Sequence, residues 1–142
     1  RPPRSTLFPY TTLFRSTLAT NCNLLVLPTT PDILALDALV LTVNYLKSIR
    51  AERYRILLTS IPPKPSKAED EVRSLLAEAH LPVFKQGIRR YAVFQKAAMA
   101  GVPVYDVKNP KAEIAWQDYA AIGKELLLPD HRNSLNSPPP QE

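Results

Sequence analysis

Arg89-Arg90-Tyr91, with Gln95 and Lys96 about one helical turn further on, are the residues of this chain best suited to hold a ligand. Paired guanidinium groups attract an anion, and an aromatic ring beside them can stack on a base. The same cluster also reads as an ordinary solvated helix start. His80 and His131 are the only histidines. His80 precedes Leu81-Pro82 at a predicted helix end, where a capping role accounts for it. Cys22 is the single cysteine, so neither a disulfide nor a zinc cluster is encoded, and its place before an apolar run suits a small buried side chain. Glu69, Asp70 and Glu71 open a predicted helix, where the helix dipole favours acids. No Ser-His-Asp or Cys-His arrangement is present, and no catalytic residue or metal ligand is assigned. A phosphate-binding loop needs glycines that let backbone N–H groups approach phosphate oxygens, followed by a lysine and a hydroxyl. Gly87, Gly101 and Gly123 are the only glycines, and none stands in such a pattern.

The elements that must position these residues alternate between strand and helix. Asn23–Pro28 is a short apolar run closed by proline and reads as a buried strand. Thr30-Pro31-Asp32 predicts a helix start with Thr30 as cap, proline in the first position and an acid in the first turn. The helix it opens runs to about Arg50, with Leu36, Leu39, Val40, Val43 and Leu46 on one face. A second strand, Tyr54–Thr59, ends in the proline-rich loop Ile61–Pro65. Ser66 and Glu69 have the spacing of a capping box before a helix with an apolar face of Val72, Leu75, Leu76 and Ala79. Leu81–Lys85 and Val102–Val107 read as third and fourth strands, separated by a helix over Tyr91–Ala100 that Gly101 stops. Asn109-Pro110 begins a last helix to about Leu128, with Ala115, Tyr119, Ile122 and Leu126 as its buried stripe. This order predicts an α/β layer of mostly parallel strands with right-handed crossovers and flanking helices.

The two ends of the chain are of different character. Thr6–Ser16 is, codon for codon, the translation of a common short-read sequencing adapter, and Arg1–Ser5 continues the match upstream. A basic leader of mitochondrial type is the alternative, and either reading sets residues 1–16 apart from the fold. The protein's own sequence is then expected to start near Thr17, inside a longer gene. Residues 17–128 form the α/β part, and residues 129–142 are a polar, proline-rich tail expected to be disordered. The whole chain has 18 basic and 13 acidic side chains; without Arg1, Arg4 and Arg15 the balance is 15 against 13, an ordinary soluble surface. The charge case for nucleic-acid binding therefore loses most of its weight. No apolar run reaches the roughly 18 residues of a membrane helix, and a cytoplasmic setting is the expectation.

Four segments in order resemble the C-terminal half of the ParA/MinD-type partition ATPases, on the ParA branch. NCNLLVLPTTPDILALDAL is similar to the strand, proline and helix that follow the Walker B region, and RILLTSIPPKPS to a strand ending in threonine before a variable loop. IRRYAVFQKAAMAGVPVYD aligns without a gap to the family's I-P-R-N-V-R-L-S-E-A-P-x-x-G-x-P-V block, and IAWQDYAAIGKEL fits its last helix. The resemblance implies part of a P-loop NTPase fold of the deviant Walker A class, its N-terminal half missing here. It implies a homodimer formed with ATP and Mg2+ that positions chromosomes, plasmids or other cargo. Such a dimer would bind DNA nonspecifically and meet a partner that stimulates hydrolysis. The family's phosphate lysines, switch residues and magnesium ligands lie N-terminal to the matched segment, so the chain alone is expected neither to bind ATP tightly nor to hydrolyse it. Arg89 and Tyr91 align with the family's adenine-contacting proline and asparagine, and Thr59 joins them on that side of the pocket. Val93 aligns with its DNA-contacting arginine, leaving Arg90 and Lys96 as local substitutes for DNA or anion contact. The first strand is expected to have a bare edge open to self-association. The alternatives are a degenerate ParA-like adaptor that works without nucleotide, and an unrelated small α/β interaction domain.

Overall fold

The computed structural model describes residues 17 and 19–128; the expectations for residues 1–16 and 129–142 lie outside the described residues. Strand β1 (Leu25–Thr29) pairs in parallel with β2 (Tyr54–Leu58), Leu25 opposite Tyr54 and Thr29 opposite Leu58. Parallel neighbours cannot be joined by a tight turn, and helix α1 (Ile33–Ser48) makes the crossover. The Leu25 N–H donates to Arg53 and the Thr29 carbonyl accepts from Thr59, so residues 25, 27 and 29 direct their backbone groups at β2. Val26 and Pro28 therefore direct theirs at the outer edge, where the missing proline N–H removes no bond to β2. Among the described residues no strand pairs with that outer edge.

Alternation along β2 divides the core between its two faces. Ile56 and Leu58 are fully buried against Leu39, Val43 and Leu46 of α1 and Val72 and Leu76 of α2 (Ala68–Glu78). Leu57 points the other way, to Phe84, Ile88 and Ile122 of the last helix, α4 (Ala112–Leu127). Helices thus cover both faces of a small parallel sheet, the expected α/β class. A satellite cluster joins Val93 and Ala97 of α3 (Ala92–Ala100) to Val104, Ala112 and Ala115.

Several local expectations change. Asp32, not Thr30, caps α1: its carboxylate accepts the Ala35 N–H at 2.9 Å and the Thr30 hydroxyl, so no acid sits in the first turn. Val40 is half exposed, while Ile33, Leu34 and Leu41 are largely in solvent. The capping box does not close. Ser66 Oγ accepts from Ala68 at 3.3 Å, and Glu69 reaches forward to Arg73 Nε at 2.8 Å instead of back to the cap. Of that helix's expected face, Val72 and Leu76 are buried and Leu75 and Ala79 are exposed.

Leu81–Lys85 is not a regular strand. Val83 forms a single parallel bridge to Ile56, flanked by bonds from Ile56 N–H to Pro82 and from Phe84 N–H to Ile56. The ladder stops because the Lys85 and Gln86 N–H groups turn to a side chain, the Glu125 carboxylate. Val102–Val107 is also not a strand. A 3-10 turn spans Val104–Asp106, closed by Asp106 N–H to Pro103 and Val107 N–H to Val104. Its three-residue spacing places Val104 and Val107 together against α3 and α4.

The α4 stripe is rotated from the expected one. Ala112, Ala115, Asp118 and Ile122 are buried, and Tyr119 and Leu126 are nearly half exposed. Helix α3 follows expectation and ends at Gly101, whose φ of 65° is the left-handed conformation of a C-terminal closure.

Candidate functional site

Beyond β2 the chain runs through Thr59 and Ser60 at the carboxyl end of the parallel pair, where α/β sheets place their ligands. Thr59 is fixed by its N–H and its hydroxyl, both donating to the Thr29 carbonyl at 2.8 and 3.3 Å. Ser60 has φ 52°, and the turn it makes sends Ile61 alongside Arg89 in a second parallel bridge. The result is an open cleft of about 610 Å³ whose walls include Thr59, Ser60, Arg89, Arg90, Tyr91 and Tyr119. A smaller hollow of about 370 Å³ between the ends of β1 and α1 shares Thr59 and includes Pro28, Thr30 and Thr42.

The cleft therefore brings together the residues expected on the base side, Thr59, Arg89 and Tyr91, and adds Arg90. Lys96, the other residue expected for DNA or anion contact, is exposed on α3 and lies outside the cleft lining. Gln95 lines it instead.

Asp118 organises this wall. Its buried carboxylate accepts the Arg89 backbone N–H at 3.0 Å, Arg89 Nε at 3.1 and 3.2 Å and Nη2 at 2.6 Å. These bonds push the Arg89 guanidinium above its ordinary range against a smaller opposing effect of desolvation, so it stays cationic at every accessible pH. The guanidinium carbon lies 5.4 Å from the Tyr91 ring centre. Phe94 packs beside Tyr91 at 6.3 Å and edge-on to Tyr119 at 5.6 Å, which makes a continuous aromatic wall. Arg90 is exposed, and among the described residues no carboxylate pairs with it.

Asp118 was not among the residues singled out from sequence, nor was Glu125, which accepts the Lys85 and Gln86 N–H groups and lies 3.6 Å from Arg55. Both sit on α4 seven residues apart with Ile122 between them, two turns along one face. A stripe drawn through Ala115 and Ile122 only, with Asp118 at the intervening turn, would have found the first.

The remaining candidates take structural roles. His80 occupies the residue after the α2 cap at φ 54°, with its N–H on Ala77 and the Leu81 N–H on Leu76. Cys22 is partly buried, its thiol 4.0 Å from the Ala19 carbonyl. Glu69 pairs with Arg73, which also donates to the Phe84 carbonyl at 2.8 Å. Among the described residues no three His, Cys, Asp or Glu side chains gather as a metal site. No described helix is long and apolar enough to cross a membrane.

No family model matches the chain. A search of curated proteins finds the maintenance of carboxysome distribution protein A of Gloeobacter kilaueensis, 32% identical over 102 residues. The match covers 72% of this chain and 47% of that protein, so the chain spans about half the length of the relative it matches. The likeness of this α/β chain to half of a protein named for the distribution of carboxysomes supports the ParA-like resemblance read from its sequence.

Proposed function

We propose that this chain is the C-terminal part of a ParA-like protein that positions a large cytoplasmic cargo in a nucleotide-dependent cycle, and that its cleft is the base side of the nucleotide pocket. One observation carries the reading: Thr59, Arg89 and Tyr91, named from the resemblance, meet in one cleft at the carboxyl end of a parallel strand pair. The cargo follows the name of the relative, an assembly distributed within a cell, in preference to a chromosome or plasmid. ATP and Mg2+ are the cofactors implied by the resemblance. The chain has no glycine-rich loop to cradle phosphates, so the phosphate half of the pocket belongs to a longer parent protein. Homodimerisation with nucleotide and a stimulating partner are part of the same proposal. For nonspecific DNA, Arg90 is the cleft's available cation.

The test is nucleotide titration of the chain by NMR, together with a phosphate-release assay. The expected outcome is movement of the Tyr91, Phe94 and Tyr119 ring signals without phosphate release. Hydrolysis by the chain at the rate of intact relatives would refute the proposal. A second reading, an adaptor that works without nucleotide, is favoured by Arg89 and Tyr91 replacing the family's adenine-contacting proline and asparagine. Unmoved ring signals at millimolar nucleotide would select it.

A further inference from the structure

We infer that the chain holds a phosphate dianion, free or as the end group of a small monoester, in a hollow at the end of β2 opposite the cleft. Strand β2 separates the two, five residues or about 16 Å, so the inference is independent of the base-side reading. The hollow measures about 430 Å³, and its lining includes Lys47, Arg50, Glu52, Tyr54, His80 and Pro82. How the donors reach it carries the argument. Helices α1, α2 and α3 all close in the same way, on a residue of positive φ whose own N–H and the next one fold back onto the last turn. In α1 that residue is Arg50 (φ 56°), with its N–H on Lys47 and the Ala51 N–H on Leu46. In α2 it is His80 (φ 54°), and in α3 it is Gly101. Glycine takes this conformation freely, whereas a side chain there is strained. The glycine closure faces open space, with no atom within 4 Å of an added Cβ. The two strained closures, in contrast, both line the one hollow.

Helix termini alone do not account for these side chains. The closures already satisfy the last carbonyls of α1 and α2. Among the described residues the side chains of Lys47, Arg50 and His80 make no hydrogen bond or ion pair, and Glu52 has no ion pair either. Lysine brings a rotatable point charge, arginine a planar fork of N–H groups and histidine a ring N–H. Together they match the several acceptor oxygens of a phosphate better than the two of a carboxylate. Glu52 limits the charge the site takes. Two fixed cations against one carboxylate suit a single small dianion, not the run of phosphates in a nucleic acid.

The experiment titrates the full chain by NMR with inorganic phosphate, glycerol 3-phosphate, acetate and a short DNA duplex, with chloride holding the ionic strength constant. The signals followed are the His80 ring and the Arg50, Ala51 and Leu81 amides. Both phosphates are expected to move them saturably, the tighter of the two showing whether the free ion or the ester is preferred, and acetate is expected to bind about tenfold more weakly. Arg50→Gly removes the fork and the strain together, so phosphate should weaken about tenfold with no loss of denaturant midpoint. Lys47→Gln leaves the backbone closure intact and should weaken it comparably, while Glu52→Gln should tighten it about threefold. Signals that phosphate leaves unmoved, acetate binding equal to that of phosphate, or affinity unchanged in Arg50→Gly and Lys47→Gln would overturn the inference. DNA moving the same signals at lower concentration than either phosphate would also overturn it, since the surface would then read a polyanion.

Discussion

The two sides of β2 are held by different means. Toward β1 the contact is a parallel register from Leu25–Tyr54 to Thr29–Leu58, with an apolar face filled by α1 and α2. Toward residues 82–90 there are two single bridges, and the gap between them is closed by carboxylates reaching across from α4. The first side is a backbone ladder backed by hydrophobic burial. The second is a loop pinned by Asp118 and Glu125, which leaves the chain free to present Arg89 and Tyr91 at the cleft. A ladder alone would have carried this segment past the sheet as a strand and turned alternate residues away from the cleft.

The comparison is tested most heavily on the ladder side. Ile56→Ala removes a fully buried side chain shared by α1 and α2 and is expected to cost about 3 kcal/mol, read as a lowered denaturant midpoint. Asp118→Ala leaves the Arg89 N–H and guanidinium without their acceptor. Because Arg89 is half exposed, the expected loss is about 2 kcal/mol, below the 3–5 kcal/mol of a fully buried pair. The two losses should differ in reach. Ile56→Ala should raise amide exchange throughout β1 and β2, and Asp118→Ala chiefly at Ile88 to Arg90. Equal deprotection of β1 by both substitutions would mean that the two sides are one cooperative unit.

This division also decides what the sequence could reveal. Leu25, Ile56 and Leu58 announce strands by their own neighbours, and Leu39, Val43 and Leu46 announce a helix face, because both signals are local periodicities. Thr59, Arg89 and Tyr91 could be grouped only through the family resemblance. Glu125 closes a turn some 40 residues earlier in the chain and Asp118 anchors Arg89 29 residues earlier, contacts that no local pattern contains. An acid in a buried stripe reads as a reason to move the stripe, so Tyr119 and Leu126 were placed on the buried face beside Ala115 and Ile122, and Asp118 was left off it. Pro82 and Pro103 were the available warnings against the third and fourth strands, since each removes a ladder donor.

Gly87 sharpens the comparison at the point where the pinned loop crosses the end of β2. A Cβ there would overlap Ile61 Cδ1 and lie 3.0 Å from the Leu58 carbonyl oxygen, which already accepts the Ile88 N–H. Gly87→Ala is expected to cost about 1–2 kcal/mol as the loop shifts outward. Ring signals of Tyr91 should move with it, although Tyr91 is not in contact with the substituted atom. A smaller effect of opposite sign is expected at His80. It closes α2 in the same left-handed conformation that Gly101 adopts after α3, with a Cβ that costs energy there. His80→Gly is expected to gain about 0.5 kcal/mol, the relief of strain less the extra freedom of glycine in the unfolded chain. Gly101→Ala should lose about 1 kcal/mol from φ alone, since no atom lies within 4 Å of its added Cβ.

The smallest expected effect belongs to Asp32, at the start of the ladder-side helix. The Thr30 hydroxyl first, and then the Ala35 N–H, hold its carboxyl below the ordinary 3.8. A carboxyl whose folded pKa is depressed adds stability that is complete above the unfolded value and is lost as pH falls through the folded one. Asp32→Asn keeps a side-chain oxygen for the Ala35 N–H and removes the titration, because asparagine is an equally good cap. The variant should therefore be slightly less stable than the parent at neutral pH. The gap should narrow as pH falls below 3.8. A gap that stays constant on acidification would show that the α1 cap carries no charge-dependent stability.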